Sequence, residues 1–239
     1  MAQKTLLEIA KTICSELGFP TPTTVVSSTD TNILKLLSMI QAACDDILRE
    51  YDWQVLNTRY TFTTSPGVES YPFPTDTERF IGSTFFDQNN RWPMAGPLTG
   101  PEWEQVKVSN LASSPFVRYR IMNNLMYLYP VPGNAPYTFL YEYMSNACFT
   151  SNAGLPQTSL LQDSDKIRFD QRCVVYGAKL KWLASVNMDT TAALVDYARA
   201  LEYAKSTDSP ARRLNIGGHN GCSPLLSTVN IPDTGFGGM

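Results

Sequence analysis

The chain has 239 residues and a mass of 26.6 kDa, with 43% hydrophobic residues, only 17% charged residues and a net charge of −3. That apolar content excludes a disordered protein and supports a sizeable core in one or two domains, and the mild acidity excludes the Lys/Arg footprint of a nucleic-acid binder. A charged fraction below the ~25% usual for soluble domains leaves Ser, Thr, Asn, Gln, Tyr and Pro to cover much of the surface, as they do at subunit interfaces.

No apolar run approaches the ~18 residues of a membrane span, and the N-terminus lacks a signal-peptide core. Five cysteines (Cys14, Cys44, Cys148, Cys173 and Cys222) are scattered and never form a CxxC pair. This fits folding in a reducing cytoplasm.

Residues 3–17 carry Leu6, Leu7, Ala10, Ile13, Cys14 and Leu17 on one face, which predicts a first helix ended by Gly18, with Pro20 and Pro22 blocking its continuation. Thr21 to Thr29 reads as a polar connector. The stretch from Asp30 to Trp53 organises the chain: Ile33, Leu36, Leu37, Ile40, Ala43, Cys44, Ile47, Leu48 and Tyr51 follow the period of one helical face. Asp30 is placed to cap this second helix, and Lys35, Ser38, Gln41, Asp45 and Arg49 fall on its polar side. At Trp53 the period changes from 3.6 to 2.

The β-region is predicted from about Leu56 to Phe149. Tyr60 to Thr63 alternates, Ser65-Pro66-Gly67 turns the chain, and the prolines of Ser70 to Pro74 suit an edge strand. Arg79 to Phe86 and Arg91 to Met94 read as strands around a turn at Asp87 to Asn90. Pro101 to Val106 reads as a short helix. Phe116 to Met122 and Leu125 to Pro130 flank Asn123-Asn124, a pair that tolerates the positive φ of a two-residue hairpin. Tyr137, Phe139, Tyr141 and Tyr143 then share one face of a further strand.

From Asp163 the helical period returns, in an almost all-round apolar run through Ile167, Phe169, Val174, Val175, Ala178 and Trp182. Asn187 to Thr190 breaks it, and Asp189 is placed to cap a fourth helix with Leu194, Tyr197, Ala198, Leu201 and Ala204 on its buried face. Residues 209–239 are rich in glycine and proline without periodicity. The predicted fold is α+β: a helical bundle of two N-terminal and two later helices (1–55 and 163–206), an inserted antiparallel β-sandwich or barrel (56–150), and an extended C-terminal arm (207–239).

The chemistry-bearing residues form no recognisable catalytic set. His219 is the only histidine and lies in a glycine-rich segment, whereas a nucleophile relay or a zinc site needs rigidly held and usually multiple ligands. Asp45, Asp46 and Glu50, and then Glu102 and Glu104, are the densest acidic groups. The first set fits a solvated helix face, and the second fits the first turns of a helix, where negative charge is favoured. No phosphate-binding glycine motif occurs. The aromatic row from Tyr137 to Tyr143 could stack on sugars but reads better as sandwich core or a subunit contact. No catalytic residue, metal or cofactor is expected.

The order of several fragments resembles a known family. The helix ends in Leu48-Arg49-Glu50-Tyr51-Asp52-Trp53-Gln54-Val55-Leu56, and Tyr60-Thr61-Phe62-Thr63-Thr64 follows. Next come Ser70-Tyr71-Pro72-Phe73-Pro74-Thr75-Asp76 with Arg79-Phe80, Tyr127-Leu128-Tyr129-Pro130-Val131-Pro132, and Phe139 to Ala147. This pattern, over roughly residues 5–206, resembles the head-to-tail adaptor (connector, tail tubular) proteins of tailed bacteriophages.

The resemblance implies a structural virion protein made in the host cytoplasm and placed in the tail or neck. It implies a dodecameric ring joining the portal to the tail nozzle or tail tube, with DNA passing through it without specific binding. Asp45, Asp46 and Glu50 are the candidates for the lumen. Arg212, Arg213, Leu214, Ile216, Leu225, Leu226, Ile231 and Phe236 are candidate anchors of an arm on the portal or a neighbouring subunit. Related adaptor families include members with cell-wall-hydrolysing activity, but no such catalytic pattern is recognisable here. The alternative function is a β-sandwich carbohydrate-binding or cell-wall-hydrolysing tail component, which would need two carboxylates converging across a cleft.

Overall fold

The structure is a computed structural model and describes residues 3–109, 116–133 and 136–208. The predicted arm, with Arg212, Arg213, Leu214, Ile216, His219, Leu225, Leu226, Ile231 and Phe236, lies outside the described residues.

Both N-terminal helices form where the apolar periodicity places them. Helix α1 (Leu6–Leu17) starts at a capping box in which Thr5 and Glu8 satisfy each other's backbone N–H groups. It ends at Gly18, whose φ of 76° is the left-handed value that glycine adopts without strain. Helix α2 (Thr31–Glu50) begins where the Asn32 N–H donates to Asp30 Oδ1 at 2.9 Å. It stops before Trp53, short of the predicted end. Trp53 instead folds back and donates its indole N–H to the Ile47 carbonyl at 2.6 Å.

A 3₁₀ turn, Gln54–Leu56, leads into β1 (Asn57–Thr63), and β2 (Ser70–Pro72), β3 (Thr77–Phe80), β4 (Phe86–Asp87) and β5 (Trp92–Pro93) follow. The predicted strand from Arg79 to Phe86 is therefore two strands, parted by a turn in which Ser83 takes a positive φ. Helix α3 (Gly100–Val108) precedes β6 (Arg118–Met122), β7 (Leu125–Tyr129) and β8 (Thr138–Ser145). Asn123 and Asn124 take φ of 51° and 58°, so the β6–β7 turn is the predicted hairpin.

Strand β8 pairs antiparallel with β1 along one edge and with β3 and β4 along the other, while β7 lies between β2 and β6. The two sheets enclose one apolar cluster that includes Phe73, Phe85, Tyr119, Met126, Leu128, Phe139, Tyr141 and Tyr143. This is a sandwich core made largely of rings.

The return of the helical period at Asp163 misplaces the start of the third bundle helix. Residues 149–167 instead form a small sheet of β9 (Phe149–Thr150), β10 (Pro156–Gln157) and β11 (Lys166–Ile167). Two carboxylates explain the departure from helix. The Asp163 side chain accepts the N–H groups of Val25 and Val26 at 2.8–3.1 Å, and Asp165 Oδ2 accepts those of Leu161 and Gln162 at 2.8 Å. Their backbone carbonyls also accept the Leu6 and Leu7 N–H groups at the start of α1. The connector at 21–29 is thus anchored through the fully buried Val25.

Helix α4 (Gln171–Ser185) starts at Asp170, which accepts the Cys173 N–H, and α5 is Thr191–Asp208. Helix α4 is the middle of the bundle, with α1, α2 and α5 all packed on it. Gly177 permits a close approach: a Cβ there would meet the Tyr197 ring at 3.1 Å and the Ala43 methyl at 3.3 Å. The helical core also takes in Trp53, Phe149, Leu160, Ile167 and Phe169 from the connecting segments.

Arg79 on β3 ties the strands to the helices. Its Nη2 donates to the carbonyls of Leu48 (3.1 Å) and Tyr51 (3.0 Å) at the end of α2, and Nη1 pairs with Asp52 at 3.1 Å. Arg79→Met is expected to cost about 1.5–3 kcal/mol through the two charge-assisted bonds. Asp52→Asn should cost less than about 1 kcal/mol, because that carboxylate is exposed. Urea unfolding of both variants checks the contrast; equal effects would refute it.

Candidate interaction surfaces

The acidic group on α2 is largely compensated. Asp46 meets Lys181 of α4 at 2.6 Å, and Glu50 meets Lys205 of α5 at 3.1 Å. The hydrogen bond that Lys205 donates to Glu50 is the main reason that the Lys205 pKa is raised. Only Asp45 of the three is exposed without an ion-pair partner among the described residues. These carboxylates tie α2 to α4 and α5 and do not converge on a cleft.

Glu102 is equally committed. Its Oε2 accepts both the N–H and the hydroxyl of Thr99 at 2.8 Å, and these bonds hold its carboxyl below the ordinary range. The aromatic row is unavailable to sugars, since Phe139, Tyr141 and Tyr143 are buried in the sandwich core. Tyr141 stacks on Phe85 with centroids 5.0 Å apart, and the Tyr143 hydroxyl donates to Asp76 at 3.0 Å.

A cleft of about 550 Å³ opens where α2 passes into β1, β11 into α4, and α5 ends, with Trp53, Val55, Arg168, Phe169, Tyr203 and Asp208 on its walls. Arg168 donates to the carbonyls of Ala147 (3.2 Å) and Val55, and burial lowers its pKa. Asp208 accepts the N–H groups of Gln54 and Val55. The charges of this joint are spent on backbone groups and fasten the helix ends to the strands. Sequence reading missed Arg168 and Asp208, because neither belongs to a periodic or motif pattern.

The opposite end of the bundle differs. A cavity of about 50 Å³ lies between α1, α2 and α4, lined by Leu17, Phe19, Ile33, Leu36 and Trp182 with Asp30 at its rim. The Phe19 and Trp182 rings meet edge-on at 5.2 Å, and Lys35 Nζ stands 5.2 Å from the Trp182 centroid. Beside it, Val186, Met188, Leu194 and Val195 are exposed. The predicted buried face of α5 is therefore corrected. Tyr197, Leu201 and Ala204 pack inward with Ala200, whereas Leu194 and Ala198 face outward.

Cys14, Cys44, Cys148 and Cys173 are free and buried. Burial pushes the thiols of Cys148 and Cys173 up to about 12, and that of Cys44 well above its usual value. Among the described residues no group of three or more His, Cys, Asp or Glu side chains could hold a metal, and no helix is long and apolar enough to cross a membrane.

No curated protein matches the chain. A family model described as SU10 adaptor protein matches residues 4–215, a span that runs through both apolar cores. It describes a phage head-to-tail adaptor family, which implies association with other head and tail proteins at the virion neck. The chain belongs to the SU10 adaptor protein family, a family of phage head-to-tail adaptors.

Proposed function

We propose that this protein forms the ring that joins the portal to the tail and continues the DNA channel, as a structural part without catalytic activity. The observation that carries this reading is the family match over residues 4–215. Its helical part would hold the portal and its β-part the tail nozzle or tube. The division into a helical domain (1–55 and 163–206), an inserted β-domain (56–150) and an arm belongs to the same proposal.

In this proposal α2 contributes Asp45, Asp46 and Glu50 to the lumen. Phosphates sliding past a basic wall would be held back by counterion release, so a neutral or weakly acidic lining suits passage. The pairing of Asp46 with Lys181 and of Glu50 with Lys205 supports a lining of low net charge. The purified protein should show no salt-sensitive, submicromolar binding to duplex DNA, as measured by fluorescence anisotropy.

Native mass spectrometry of the full chain mixed with its portal tests the reading directly. The expected result is a discrete complex of several copies per portal ring; a portal that stays bare under all conditions would overturn it. Deleting 209–239 should leave a folded protein that attaches to portals more weakly, because those residues carry the proposed anchors.

A further inference from the structure

Which surfaces of neighbouring copies meet can be argued from the end of the bundle remote from the sandwich. Helix α5 shows α4 the face made by Tyr197, Ala200, Leu201 and Ala204. At ~100° per residue, Val195 and Arg199 lie on the opposite side of α5. Val195 is 46% exposed, and Leu194 beside it is 55% exposed. On α4, Gly177 faces α5 through Tyr197. Trp182, five residues on, is turned about 140° away and meets Phe19 beyond α1, on the side where Lys179 pairs with Glu16 at 3.2 Å. The apolar knob on α5 and the apolar notch at Trp182 therefore face away from each other across α4.

They also share a height. Trp182 lies three residues before the end of α4, and Val195 four residues after the start of α5. At ~1.5 Å per residue Trp182 stands about 4.5 Å and Val195 about 6 Å from the α4–α5 turn.

We propose that Val195 enters the notch formed by Phe19, Ile33, Leu36 and Trp182 of a second copy of this chain, with Arg199 reaching the exposed Asp30 at the notch rim. Two different patches on opposite sides make a head-to-tail contact, which repeats around a ring or along a filament. Charge complementarity supports the same partner: Arg199 stands one turn from the knob, and the Asp30 carboxylate spends one oxygen on the Asn32 N–H. This inference rests on the ring reading above and names its contact.

The test places the photoreactive amino acid benzoylphenylalanine at position 195 of the full chain, irradiates purified phage particles, and maps the products. The expected product joins two copies of this chain, between position 195 and a peptide within 12–37. A cross-link to another region, to another protein or within one chain overturns the proposal. Val195→Asp should reduce incorporation into particles at least about tenfold, as expected for charge at the centre of an interface, while its urea midpoint stays at the wild-type value. Wild-type incorporation of Val195→Asp also overturns the proposal. If the wild-type chain is absent from particles, the ring reading itself fails. The same irradiation of the concentrated isolated protein then decides: a cross-link from 195 to 12–37 of a second copy supports the contact, and its absence overturns it.

Discussion

The folded chain is expected to lose its stability steeply above about pH 10, with buried phenols and thiols ionising only as it unfolds. Burial pushes the hydroxyls of Tyr119 and Tyr143 up to about 12 and raises that of Tyr141 further, from an ordinary value near 10. Burial does the same to the thiols of Cys44, Cys148 and Cys173. All these groups have a higher pKa folded than unfolded. Their stabilising contribution is complete below the unfolded values, about 8.5 for Cys and 10 for Tyr, and falls as pH rises towards the folded ones.

Each group withdraws about 1.4 kcal/mol per pH unit within its window. The thiols of Cys148 and Cys173 and the three phenols together reach on the order of 10 kcal/mol by about pH 11, which matches the whole stability of a typical domain. Circular dichroism and tyrosinate absorbance followed together should show one coincident transition. Ionisation of every tyrosine near pH 10 without loss of structure would count against it.

Trp53→Ala should be the most damaging single substitution at the joint between helices and strands. Trp53 is 1% exposed, and its ring packs on Tyr51 (centroids 5.3 Å apart) and Phe169 (5.4 Å). Removing a buried Trp costs about 3–5 kcal/mol, and leaving the Ile47 carbonyl without its indole donor adds about 1 kcal/mol. Because Val55 and Phe169 share the cleft wall with Trp53, the loss should loosen the passage from α2 into β1. Urea unfolding measures the cost. Trp53→Phe, which keeps a ring and loses the donor, should recover more than half of it; equal effects from both variants would show that ring packing is not the source.

The α+β class, helices α1 and α2, their caps at Asp30 and Gly18, and the Asn123-Asn124 hairpin were legible in the sequence. Each rests on local physics: a periodic apolar face, a side chain that reaches its own backbone, a residue that accepts positive φ. The row Tyr137, Phe139, Tyr141 and Tyr143 was legible as one face of a strand. Only the facing strands with Tyr119, Met126 and Leu128 made it core and kept it from solvent.

The tertiary structure decided what depends on distant partners. Asp163 and Asp165 read as the start of a helix, yet they cap segments at Val25 and Leu161, and the first of these lies 138 residues away in sequence. Arg168 and Asp208 show no local pattern, because their partners are backbone groups of other elements. The centre of the bundle is α4 and not α2, because α1, α2 and α5 all pack on it and Gly177 leaves room for both Ala43 of α2 and Tyr197 of α5. Leu194 satisfies the helical period of α5 and is still exposed. Periodicity reports which residues share a face, and only packing decides whether that face meets the same chain or is left for another.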